Sequence, residues 1–118
     1  MEFDQFSLCF LVAKPNPPEM SPAVAGELQN AHMSHLADLH ESGDLLAAGP
    51  TGNPAYRGVC LFRTEVEQTK ELISADPAVQ AGWFEITVIP WLVPSGAMSF
   101  STTSFPRSMA EVKPRPGQ

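Results

Sequence analysis

Positive charge is scarce in this 118-residue chain, with seven Lys and Arg against thirteen Asp and Glu. The formal net charge of -6 argues against a nucleic-acid surface, because too few cations are present to neutralise a row of phosphates. Cysteine is nearly absent. Cys9 and Cys60 each sit inside an apolar run, where a free thiol behaves as a small buried hydrophobe. No Cys/His spacing resembles a zinc site, so no metal is expected. No apolar run approaches the roughly 20 residues of a membrane helix. The opening MEFDQFSL has neither a basic n-region nor a long apolar core, so no signal peptide and a cytoplasmic location are expected. There is no G-x-S-x-G and no internal repeat.

What is present has a clear order. Twelve prolines fall in clusters, which marks punctuation between elements and not general disorder. Phe6 to Ala13 (FSLCFLVA) reads as a buried central strand. After a proline-dense connection, Ser21 as N-cap and Pro22 at the first helical position open a helix to Ser42, and Gly43 stops it. Leu45 to Ala48 is a short strand, Pro50 to Tyr56 a turn-rich loop, and Arg57 to Arg63 the return strand of a hairpin. Thr64-Glu65-Val66-Glu67 has the form of a capping box, opening a second helix to about Ala75. Asp76-Pro77 starts a further short turn of helix to Gly82. Trp83 to Val93 is a long strand in which Pro90 demands an edge or a bulge.

The order strand, helix, strand, strand, helix, strand predicts an α+β ferredoxin-like βαββαβ sandwich, a four-stranded antiparallel sheet with both helices on one face. The domain is expected over residues 1–93. Residues 94–118 are expected as a C-terminal extension, an arm partly docked through Met98, Phe100 and Phe105 with a flexible end. The strands are apolar on both faces, and one chain's helices cover only one of them. A homodimer with sheets packed face to face is the expected remedy.

All three histidines lie between Asn30 and Pro50. Steps of three and four place Val24, Leu28, His32, Leu36 and Leu39 on one helical face, so His32 points inward, His35 lies on the margin and His40 points to solvent. An inward histidine is either a hydrogen-bonded core residue or the wall of a site, and the periodicity leaves both open. Asp76 is likewise open: a good N-cap for the helix at Pro77, a site carboxylate, or both.

These residues resemble the YCII-related (YciI-like) family. His32 precedes Gly43 by eleven residues, Leu45-Leu46-Ala47-Ala48-Gly49-Pro50 follows, and Ala75-Asp76-Pro77 with Val79, Ala81 and Gly82 leads into the last strand and Pro90-Trp91. The resemblance covers about residues 5 to 93. It implies the dimeric α+β barrel fold and a cleft lined by His32 and Asp76. His35, at the margin of the helix face, and Gly49 and Pro50 are expected as substrate contacts beside them. Members often carry an arginine about three residues before the histidine. Here that position is Gln29.

The chemistry expected of such a pair is proton transfer. Imidazole takes and returns a proton near neutrality, and a carboxylate beside it fixes its tautomer and stabilises its cation. The expectation is therefore a cofactor-free lyase, isomerase or cyclase acting on a small carbonyl or phenolic compound through His32 and Asp76. The alternative is a non-catalytic ligand-binding or assembly module on the same fold.

Overall fold

The computed structural model describes residues 1–101 and 103–113. Its elements run β1 (Phe3–Ala13), α1 (Pro22–Glu41), β2 (Leu45–Asn53), β3 (Tyr56–Phe62), α2 (Val66–Ser74), α3 (Pro77–Gln80) and β4 (Phe84–Pro94), followed by a 3₁₀ turn at Met109–Glu111. The strands form one antiparallel sheet in the order β2-β3-β1-β4. FSLCFLVA is central, as its continuous apolar run predicts, and β1 begins earlier, at Phe3. Pro90 is accommodated because β4 is an edge strand and pairs only with β1.

The period of two sorts the sheet into faces. Cys9 and Leu11 of β1, Cys60 and Phe62 of β3, and Phe84 of β4 are buried under the helices with Leu39, Ile73 and Ala78. Phe6 and Leu61 lie on the opposite face with Val93, where Met98 packs against them and Phe100 meets Phe6 edge-on at 6.1 Å. The remainder of that face is open: Ile89 is 42% exposed and Trp91 41%.

Local chemistry explains the ends of α1. The Ser21 side chain accepts from the Val24 amide at 3.2 Å, and Pro22 occupies the first helical turn. At the other end Gly43 takes φ 88°, its amide donates to the His40 carbonyl, and the Asp44 amide donates to Leu39. This double closure is the Schellman arrangement, which only a residue without a Cβ enters at no cost.

Three expectations are corrected. β2 continues through Gly49 and Pro50 to Asn53, because the Asn53 side chain accepts the Ala55 amide at 2.9 Å and tightens the hairpin. The capping box does not form. α2 begins one residue later, with Glu65 as N-cap, and the Thr64 hydroxyl is bonded to Thr69 Oγ1 at 2.7 Å instead. His40 is half-buried and not solvated. Its Nδ1 donates to the Leu45 carbonyl at 2.7 Å, and Phe105 stacks on its ring at 3.9 Å and 10°.

Phe105 arrives on the arm that follows β4. The Ser95 amide donates to Glu2, and the chain then turns at Gly96, φ 85°, where the Ala97 amide donates to the Pro94 carbonyl. Farther on, Arg107 bonds Ser34 at 3.0 Å, Asp38 at 2.9 Å and Glu41 at 3.0 Å, and the Met109 amide donates to Asn30 at 3.0 Å. The arm is thereby tied along the exposed side of α1. Among the described residues no helix is long and apolar enough to cross a membrane.

Candidate active site

His32 and Asp76 meet. His32 is buried on the inner face of α1 and Asp76 is fully buried between α2 and α3, and Nδ1 lies 2.5 Å from Oδ2. The second carboxylate oxygen, Oδ1, accepts the Ala78 amide at 2.8 Å and caps α3. Asp76 therefore caps α3 and pairs with His32 at the same time. Because a carboxylate accepts, the hydrogen on neutral His32 belongs on Nδ1 and the lone pair on Nε2. Among the described residues Nε2 has no hydrogen-bond partner, and no buried side-chain nitrogen or oxygen is left unpaired, so Nε2 is open to the space the ring borders.

That space is a cavity of about 510 Å³ between α1 and the sheet. Gln29, His32, Met33 and Leu36 of α1 form one side, and Leu11, Ala48 and Gly58 the sheet side. Gly58 matters for its shape. A Cβ at this position would stand 3.3 Å from Leu11 Cδ1 and 3.4 Å from the Gly49 carbonyl, so the absence of a side chain lets β2, β3 and Leu11 close up beneath the cavity. Phe84 closes one end, its ring centre 5.7 Å from that of His32. Phe105, Pro106, Met109 and Val112 of the arm supply a further wall.

Of the sequence-predicted contacts, Gly49 and Pro50 border this cavity. His35 does not. Its Nε2 bonds the Leu72 carbonyl at 2.9 Å, tying α1 to α2, because three residues beyond His32 the helix presents its next side chain toward α2.

The thiols make poor nucleophiles. Cys60 borders the cavity and is paired in register with Cys9. Burial, with a smaller push from the Asp76 charge, raises the Cys9 thiol to about 12, and burial raises Cys60 in the same direction. Among the described residues no group of three or more His, Cys, Asp or Glu side chains is placed to hold a metal ion.

Two features are not carried by periodicity. Which surface the arm covers leaves no periodic signal. Arg57 also borders the cavity, with its guanidinium carbon 6.0 Å from the centre of the Phe84 ring. Strict alternation puts Arg57 on the sheet face opposite Gly58 and Cys60. The register between β1 and β3 shifts between Leu11 and Val12, so that Gly58 pairs with Leu11 and Tyr56 with Val12, and Arg57 is the extra residue of a bulge. Bulges re-aim side chains, and no local pattern in RGVCLF announces this one.

A four-stranded antiparallel sheet in this order, with its helices on one face and a cavity between helix and sheet, is the ferredoxin-like α+β arrangement. Residues 8–92 match the YCII-related domain, and the chain belongs to that family. Among solved structures it is similar to 5-chloro-2-hydroxyhydroquinone dehydrochlorinase from Burkholderia phenoliruptrix, in complex with 2,5-dihydroxybenzoquinone. The identity is 19%, the TM-score 0.54, and the match covers 73% of this chain and 92% of that one. No curated protein matches the sequence.

Proposed function

We propose that this protein is a cofactor-free enzyme of the lyase, isomerase or cyclase type, moving a proton on a small carbonyl or phenolic compound. The observation that carries the reading is the 2.5 Å bond between His32 Nδ1 and Asp76 Oδ2 at the wall of the cavity. Asp76 holds the ring so that Nε2 meets the ligand as a base. Once Nε2 has taken a proton, the same carboxylate offsets the positive charge of the imidazolium. The largely apolar walls, which include Gly49 and Pro50, suit a ring-sized molecule. The dehydrochlorinase of similar fold, with a dihydroxybenzoquinone bound, supports hydroxylated quinones and halogenated hydroquinones as the first compounds to try.

The test is a spectrophotometric screen of such compounds, with enol lactones added, on wild type, His32→Asn and Asp76→Asn. Turnover is expected in wild type and a loss of about 10²–10⁴-fold in His32→Asn. Equal turnover in the two would remove His32 from the chemistry.

A second reading, a non-catalytic ligand-binding or assembly module, is favoured by the other bond of Asp76, which gives the pair a structural use as the cap of α3. Nuclear magnetic resonance separates the two. An imidazole that takes no proton between about pH 5 and 9 belongs to the binding module. In either case we assign a second copy of the chain to the open sheet face around Ile89 and Trp91, since apolar area of this kind is normally covered.

A further inference from the structure

Arg57 is an exposed cation whose guanidinium sits over the Phe84 ring. Among the described residues the ion pairs join His32 to Asp76, Lys70 to Glu67, and Arg107 to Asp38 and Glu41, and no carboxylate reaches Arg57. Among the described residues it is the one Lys or Arg bordering the cavity, in a chain whose net charge is -6. The backbone departs from regular pairing to put it there, because the bulge turns Arg57 to the helix side of the sheet. Its guanidinium and the His32 imidazole both lie within 6.0 Å of the Phe84 ring centre. One ring-sized ligand beside Phe84 therefore meets a base and a fixed positive charge together.

We infer that Arg57 is the anion-holding residue of this cavity, and that its ligand is a flat ring compound bearing an oxyanion, a phenolate or an enolate, which lies against Phe84 between Arg57 and His32. The orientation toward His32 rests on the proposed function, whereas the anion site itself does not. In the step this arrangement serves, a ligand O–H, or a C–H next to a carbonyl, gives its proton to His32 Nε2. The bonding pair stays on the ligand and comes to rest as negative charge on oxygen, where the guanidinium N–H groups donate to it. Return of the proton from Nε2 to a different atom completes a tautomerisation with no other reactant. Arginine suits this position because it is charged at every working pH and its planar fork donates two parallel hydrogen bonds.

The probe is 4-nitrophenol, whose phenolate absorbs visible light and whose phenol does not, with nitrobenzene as the neutral analogue. Binding of each is measured on wild type, Arg57→Met, Arg57→Lys and His32→Asn, with circular dichroism as the check on folding. Wild type is expected to favour the phenolate and to lower the probe's apparent pKa by about one unit, the effect of a close opposite charge. Arg57→Met is expected to abolish that shift while binding nitrobenzene as before, and Arg57→Lys to restore part of it. His32→Asn is expected to keep it, so that a failed base assignment leaves the anion site standing. The inference is overturned if Arg57→Met keeps the shift, if His32→Asn alone removes it, or if wild type binds neither probe.

Discussion

Asp76 serves His32 with one carboxylate oxygen and the first turn of α3 with the other. The two uses place opposite limits on substitution. Asp76→Asn keeps an acceptor for the Ala78 amide but brings an NH₂ group into a site built around an acceptor. Asp76→Ala removes both acceptors and leaves the His32 Nδ1–H buried without a partner. Loss of an N-cap costs about 0.5–2 kcal/mol and an orphaned buried donor about 1–3 kcal/mol. Urea denaturation is therefore expected to show Asp76→Ala less stable than wild type by roughly 2–5 kcal/mol. Asp76→Asn is expected to fall between them.

The buried thiols predict an alkaline loss of stability. Cys9 keeps its proton in the folded chain up to about 12, against an ordinary value of 9.0, and Cys60 moves in the same direction. Above 9.0 the folded state thus holds more protons than the unfolded one. The associated stability is fully present below 9.0 and is lost as the pH rises through about 12. Denaturation midpoints are expected to fall more steeply between pH 9.0 and about 12 in wild type than in a Cys9→Ala/Cys60→Ala double variant. Equal slopes would show that the thiols do not carry the effect. An aromatic disulfide reagent at neutral pH should leave both cysteines unmodified until denaturant is added.

Arg107 fastens the arm to α1 through Ser34, Asp38 and Glu41, and its hydrogen bonds to the two carboxylates raise its own pKa. These are exposed contacts, so salt weakens them. Arg107→Ala is expected to leave the melting temperature nearly unchanged while loosening the wall formed by Phe105, Pro106 and Met109. The readouts are loss of the Phe105 ring-current shift on the His40 imidazole protons and faster proteolysis of the arm. Raising the salt concentration should move wild type in the same direction. An unchanged His40 spectrum would mean that the stacking and the Met109–Asn30 bond hold the arm without Arg107.

The open sheet face predicts the oligomeric state. Light scattering is expected to give twice the chain mass for wild type. Trp91→Glu puts a charge in the middle of the proposed interface and is expected to shift the protein toward the single-chain mass at micromolar concentration. A monomeric wild type would refute the assignment of a second copy to this face.

Much of this molecule is legible in one dimension because much of it is built from local repetition. The 3.6-residue period puts His32 on the inner face of α1, the Ser21–Pro22 start and Gly43 stop bound that helix, and the apolar run of β1 marks the central strand. Asp76 before Pro77 reads as a cap for the same local reason, and its second partner follows from the family resemblance and not from spacing alone. Other features depend on chain segments far apart in sequence. His40 looks solvent-facing until Phe105, 65 residues away, stacks on it. Arg57 alternates onto the wrong face until the pairing of β3 with β1 inserts a bulge. Periodicity records which side of its own element a residue occupies. Where a register slips, or which distant segment covers that side, is decided only when the strands and the arm pack together, and this is why the histidine and its carboxylate could be read from the sequence while the cavity's cation and fourth wall could not.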